Sequence, residues 1–408
     1  MLDITKQNET SATTARAPYE VNPFTGGHNG EVSMQWMARP ADQRFTSLTD
    51  LHDFKKKFWD GSFQTRTKTD AFDLISPEPK TAADLHRLTV GVKIDHGDRV
   101  EAREIAPTHW AFGQMCALAK APAAHYRELP SQIVSDALAY RLRFAREVEE
   151  IKLYGGADQL YAATGPDYGR IPDYEIVKAV QAVAGTGRGE MRWKIPGVLD
   201  WSTRLYDPEA PVTSDSTTLY ASDRDVFMFL VDDRNPIEVG KLANGNPDLM
   251  FRGFFCQNSE VGTRSAKIAA FFLRGVCMNR NLWGVENFEE VRIIHNRAAP
   301  DRWLRQAVPA LTAYANGATD KLVAGVKLAK AAKVADDEEG AIAFLKARNF
   351  SLTKAKAILE QGEKEEGRPP RSAWDMAQAI TAHARGVLNT DDRLQQELEA
   401  KHILDKVA

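Results

Sequence analysis

Phe251-Arg252-Gly253-Phe254-Phe255-Cys256-Gln257-Asn258-Ser259-Glu260-Val261-Gly262-Thr263-Arg264-Ser265 joins an aromatic run to a Ser/Gly turn. Leu249–Cys256 predicts a strand, and the segment after the turn, Arg264 to about Asn279, has spacing that predicts a helix. On that helix Arg264, Lys267 and Arg274 share a stripe with Phe271 and Met278, while Ile268, Ala269, Phe272, Leu273, Val276 and Cys277 face the core. Gly262 would supply a positive φ or a close backbone approach. A helix starting after Asn258 and Ser259 would aim unpaired N–H groups at an anion. Cations interleaved with an aromatic suit a single nucleic-acid strand, because phosphates meet the charges and bases meet the ring. The candidate nucleic-acid-binding residues are therefore Arg264, Lys267, Phe271, Arg274, Asn258 and Ser259, with Gly262 as the structural turn. The competing reading is a helix packed on a sheet, with a solvated basic edge.

Working outward, Thr217–Ala221 and Val226–Val231 read as a hairpin across Ser222-Asp223-Arg224-Asp225. Asn235-Pro236 and Asn244-Gly245-Asn246-Pro247 punctuate the stretch between this hairpin and the aromatic run. Upstream, Leu88–Lys93 and Arg99–Ile105 read as strands, and Thr108 as the N-cap of a helix carrying Trp110, Phe112, Met115 and Leu118 inward. A helix from about Ser131 to Phe144 comes next, then paired strands at Val148–Leu153 and Gln159–Ala163. Asp173 caps a helix with Ile176, Val177, Val180 and Val183 at helical spacing. Another helix, rich in lysine and aromatics, precedes Gly61. Residues 1 to about 45 are Ser/Thr/Gly/Asn-rich and read as an extended arm that Met34 and Trp36 could dock. A strand is predicted at Glu290–His295. After Pro300 only helices are predicted, at about 301–316, 319–333, 338–348, 352–365 and 372–403 with a break near Asn389. The fold class is thus α+β: an antiparallel sheet core with packed helices over 46–300, and a helical C-terminal region over 301–408.

The run from Phe251, with its continuation Phe271-Phe272-Leu273-Arg274-Gly275-Val276-Cys277-Met278-Asn279-Arg280-Asn281, resembles the signature of a family of phage and plasmid proteins called domain of unknown function 932. Trp110-Ala111-Phe112-Gly113-Gln114 through Leu129-Pro130 and Thr218 through Phe227 are similar to the same family. So is the tail segment from Trp374 to Arg385 with Asp392-Arg393. The resemblance covers roughly 85–315. It implies a mobile element in a bacterial host and brings no catalytic residue. The order of strands followed by a helix is also similar, at the level of topology alone, to the β-β-β-α core of ring-forming single-strand annealing proteins.

Composition narrows the classes. The 408 residues carry 53 basic and 56 acidic side chains, a formal net charge of −3, which excludes a uniformly basic duplex-coating protein. Cys116, Cys256 and Cys277 form no CxxC pair and sit among apolar residues, as buried thiols of a reducing compartment do. The start Met1-Leu2-Asp3-Ile4 lacks a secretory pattern, and no stretch approaches ~18 apolar residues. The expected location is the bacterial cytoplasm, with no membrane partner.

Chemistry-bearing patterns are sparse. Glu150-Ile151-Lys152 matches half of a restriction-type nuclease site, with Asp136 upstream on a helix. Asp223, Asp225, Asp232 and Asp233 cluster near one hairpin, beside Arg224 and Arg234, and read as turn caps and ion pairs. His109 and His125 flank one helical segment without zinc-ligand spacing. No GxSxG, Walker A or GxGxxG is present. The catalytic residues are unassigned, and no metal or cofactor is implied. The functional expectation is a mobile-element accessory protein that binds nucleic acid, single-stranded DNA foremost, in recombination or replication, as a homo-oligomer. The alternatives are a non-enzymatic interaction or anti-defence protein and, behind it, a metal-dependent nuclease.

Overall fold

A computed structural model of the chain describes residues 41–144, 149–156, 158–187, 192–195, 211–241, 245, 247–274, 280–281, 290–387 and 390–407. The predicted arm therefore lies outside the described residues up to 40, as do Met34 and Trp36. Its last two residues are not loose: Arg44–Phe45 form strand β1, and Phe45 is buried. Ser47 then caps helix α1 (Leu48–Asp60) by accepting from the Asp50 amide. Strands β2 (Phe63–Lys68), β3 (Asp73–Ile75), β4 (Thr89–Asp95) and β5 (Val100–Pro107) come next. Thr108 caps α2 (His109–Leu118), and α3 (Ala123–Tyr126) and α4 (Ser131–Arg143) complete a helical insertion before β6 (Glu150–Gly155) and β7 (Gln159–Thr164).

These strands form a six-stranded sheet in the order β2-β6-β7-β5-β4-β3, antiparallel except for the β5–β7 pair. The sheet curls until β2 meets β4, where the Thr65 hydroxyl donates to Lys93 O at 2.7 Å. With β3 as an outrigger, this contact brings five strands into the circuit β2-β4-β5-β7-β6-β2, a partly open barrel in which β2 and β4 share no ladder. Numbered along the chain these five run first-second-third-fifth-fourth, with third and fifth parallel and the helices between third and fourth. That order of strands is similar to the connectivity of oligonucleotide/oligosaccharide-binding barrels. Val90, Val92, Ile94, Ile105, Ile151, Leu153 and Leu160 fill it, and Phe112, Met115, Val134, Leu138 and Leu142 of the helices share that core.

Helix α5 (Asp173–Ala184) leads to the second sheet. Its members are β1, β8 (Trp193–Lys194), β9 (Leu219–Ala221), β10 (Val226–Lys241), β11 (Pro247–Asn258), β12 (Ala266–Arg274), β13 (Arg280–Asn281) and β14 (Glu290–Ile293). The main path is β1-β9-β10-β11-β12-β13, with β14 on β12 and β8 on β10. Asn235-Pro236 does not end β10. The strand passes it by a register shift between Asp232 and Ile237, which keeps a residue without an N–H out of the ladder.

The predicted helix from Arg264 is a strand. Residues 266–274 form β12, paired with β11 so that Gly253 faces Phe271 and Arg252 faces Phe272; 275–279 lie outside the described residues. Both faces of this sheet are buried. Met228, Leu230, Phe254, Ile268, Ala270 and Phe272 point to one core, and Phe227, Phe229, Phe251, Phe255, Ala269, Phe271 and Leu273 to the other. A strand covered on both faces loses its polar alternation, and the apolar run 268–273 then satisfies helical and strand spacing alike.

From Ala299 every described element is helical: α6 (Ala299–Ala315), α7 (Asp320–Ala331), α8 (Glu338–Lys346), α9 (Leu352–Glu366), α10 (Ala373–Arg385) and α11 (Thr390–Asp405). The α+β class with an all-helical C-terminal part is what the structure has. These helices do not build a separate core: Trp303, Leu345, Ile358, Trp374 and Leu404 join the cluster that lines the inner face of the second sheet. No helix among the described residues is long and apolar enough to cross a membrane.

Candidate functional site

The turn after β11 is the plug between barrel and sheet. Val261 O accepts from the Trp110 indole (2.8 Å) and from Gln114 Nε2 (2.7 Å), both on α2. The other end of the Gln114 amide accepts from the Ala163 amide of β7 at 3.0 Å. Tyr168 donates to Ser259 O at 3.0 Å. Gly262 has φ +87, the left-handed region, and turns the chain beside Tyr168.

Beneath this turn lies a buried ionic network that the sequence reading missed. Lys55 Nζ is 2.7 Å from Asp173 Oδ2 and donates to Ser222 O at 3.2 Å. Asp173 Oδ1 accepts from Asn258 Nδ2 at 2.7 Å, and the same amide nitrogen donates to Ile171 O. Glu260 accepts from Tyr154 OH (2.9 Å) and from the Asp173 backbone amide (2.7 Å). Arg170 donates Nε to Glu260 O and Nη1 to Gln64 Oε1, with its guanidinium over the Tyr154 ring at 4.4 Å. The network gathers α1, β2, β6, the start of α5 and the β11–β12 turn. Every charge in it has an opposite charge or a hydrogen bond, as burial requires.

Burial acts against the Lys55 ammonium, but Asp173, Glu260 and Asp225 outweigh it and hold its pKa above the ordinary lysine value. Burial pushes the Asp173 carboxyl up to about 7, with Lys55 opposing and Glu260 adding to the rise. Burial likewise raises Tyr154 and Tyr168, so both phenols stay protonated donors. With Lys55, Asp173, Asn258 and Glu260 all shut off from solvent, the network locks the turn in place and offers no substrate a way in.

The proposed contact residues fall apart in this setting. Asn258 and Ser259 are fully buried, one on Asp173 and the other donating to Arg224 O. Phe271 is 0% exposed, packed on Phe229 with centroids 4.8 Å apart. Arg274 is 3% exposed, gripping Asp248 through two bonds (2.8 and 2.9 Å) and pairing with Glu366 of α9. Arg264 pairs with Asp225 at 3.2 Å. Lys267 lies over the Phe255 ring at 5.5 Å. On a strand, Lys267 and Arg274 point to opposite faces, so the predicted basic stripe does not exist.

The other constellations are taken up in ion pairs and backbone hydrogen bonds, as expected of the aspartates. Glu150 pairs with Arg66, whereas Lys152 donates to Tyr168 O and Asp136 sits on α4. Asp232 is held by Arg192, and Asp233 by Lys194. Among the described residues no group of three or more His, Cys, Asp and Glu is placed to hold a metal ion.

What the plug does border is a groove of about 660 Å³, lined by Gln114, Lys120, Tyr140, Arg141, Phe144, Tyr168 and Gly262 among others. Tyr140 is 65% and Phe144 62% exposed, with ring centroids 4.9 Å apart. Arg141 between them donates Nε to Ala119 O at 3.1 Å, which ties the end of α4 to the end of α2. The outer face of β4 and β5 has the opposite character: exposed Asp73, Asp95 and Glu104 surround Lys93, and no aromatic ring stands among them. Searches of family models, curated proteins and solved structures find no match to this chain.

Proposed function

We propose that this chain is a mobile-element accessory protein that binds single-stranded nucleic acid, in recombination or replication. One observation carries the reading: the barrel connectivity of β2, β4, β5, β6 and β7, with the helical insertion after the third strand. Barrels of this connectivity hold single strands by a cationic groove and aromatic platforms, and the groove at Gly262 has both kinds of group. The meander β10-β11-β12 lends no support through the β-β-β-α order, because β12 takes the place of the expected helix and β13 and β14 intervene before α6. Helix α6 packs on the meander, with Tyr314 OH donating to Phe271 O at 2.6 Å. The resemblance of 251–281 to the phage and plasmid family supplies the mobile-element setting.

Fluorescence anisotropy with labelled single and double strands, at about 50 and about 200 mM salt, tests the reading. Binding to single strands that weakens steeply with salt is the expected result. No binding to any single strand at the lower salt sinks it. A second reading, a protein that docks a host partner, is favoured by Ile133, Tyr140 and Phe144, large apolar side chains exposed along α4 and its end.

A further inference from the structure

We infer that the groove between the C-terminal ends of α2 and α4 is where the strand is held, and that it takes bases by their faces without reading their edges. The inference rests on the single-strand reading and goes beyond it in naming the site and its specificity. Two things recommend this place over the usual ligand face of such a barrel. The outer face of β4 and β5 sets three exposed carboxylates around Lys93 and would repel a phosphate backbone. The groove sets exposed Lys120 and Arg141 beside two exposed rings, so that phosphates and bases can be met together.

Three of the groove's polar side chains, Gln114, Tyr168 and Thr164, already hydrogen-bond into the fold. Both ends of the Gln114 amide are engaged, by Val261 O and by the Ala163 amide. The Tyr168 hydroxyl donates to Ser259 O, and its ring is stacked on His295, 5.0 Å away and 14° from parallel. The Thr164 hydroxyl donates to Lys152 O at 3.5 Å. Discrimination between bases needs donors and acceptors placed against their edges, and these three are committed to holding the barrel on the plug. The rings of Tyr140 and Phe144 remain as contact surface, and every base has a π-face to offer them.

The test uses the full chain with oligonucleotides of about 20 nucleotides, longer than one barrel's footprint: all-thymidylate, all-adenylate, a mixed sequence and a duplex. Wild-type protein should bind the three single strands within about threefold of one another, and the duplex more weakly. Tyr140→Ala with Phe144→Ala should weaken single-strand binding about tenfold or more, with an unchanged melting temperature because both rings are exposed. Lys120→Gln should weaken all strands alike and lower the salt slope by about one unit. If wild type binds a strand and the double variant binds it equally well, the site is elsewhere and the proposed function stands. A preference of about a hundredfold or more between homopolymers would overturn face-only contact. Absence of binding by the wild type ends both readings and leaves the exposed rings to a protein partner.

Discussion

Lys55 Nζ and Asp173 Oδ2 stand 2.7 Å apart with each side chain 1% exposed, which makes this pair a buried charge contact between α1 and α5. Removing one partner strands the other in an apolar interior. Lys55→Met should therefore cost about 3–5 kcal/mol, whereas the double variant Lys55→Met/Asp173→Asn should cost far less than the two single changes added. Urea unfolding of the four proteins of this cycle at about pH 8, where Asp173 is ionised in the native state, checks it. Additive costs would show that the two charges do not depend on each other.

The contribution of Asp173 to stability should fall as pH rises toward neutrality, while that of buried His295, whose pKa is lowered, runs the other way. Burial holds the Asp173 carboxyl near 7, well above the ~3.9 of an unfolded chain. Between those values the native state holds a proton that the unfolded state has released, so each step up in pH favours unfolding until Asp173 ionises in both. From about pH 5 to about pH 8 the unfolding free energy of wild type should drop further, or rise less, than that of Asp173→Asn. An equal slope in the two proteins would mean that another group carries it.

Asp248 behaves in the opposite sense. Burial would raise its carboxyl, but hydrogen bonds and charge from Arg274 and Lys330 prevail and hold it below the ordinary value. Its contribution is complete above the unfolded value and is lost as pH drops through the native one. Asp248→Asn should therefore leave acid unfolding below about pH 4 less steep than in wild type, as circular dichroism during acid titration would report.

Phe271→Ala should destabilise the chain by about 3–5 kcal/mol and leave oligonucleotide affinity untouched. The ring is fully buried and covers Gly253, where an added Cβ would lie 2.3 Å from it. A variant that keeps its melting temperature and loses binding would put the ring back at an interface.

Gly262→Val should cost about 1–3 kcal/mol, because a β-branched residue is strained at φ +87, while Gly262→Asn should cost less. An unchanged melting temperature for the valine variant would show that the turn can relax into ordinary backbone space.

The local pattern was legible where one local force dominates. Thr108 caps its helix as its position predicts, and the strands at 89–95, 100–107 and 159–164 and the helices after Ala299 follow propensity and spacing. Phe63–Lys68 carries little strand signal, because its half-exposed alternation offers only one large apolar residue. Lys55 carries a signal in its spacing: it shares the buried face of α1 with Leu48 and Leu51, a lysine at a core position.

Tertiary structure alone decided the rest, because the deciding contacts join residues far apart in the chain. The sequence by itself determined the α+β class, the helix capped by Thr108 and the need for a turn near Gly262, all consequences of propensity and nearest-neighbour spacing. Asp173, expected as a cap, is instead the first residue of its helix, behind Pro172. The sequence could not determine that 266–274 is a strand, since that depends on burial of both faces by other segments. Nor could it show that Asn258 and Glu260 meet Asp173, or that Tyr140 and Phe144 stay uncovered beside the plug. Partners more than eighty residues away supply the charges and bonds that make those two side chains structural, and long-range packing leaves the two rings in water.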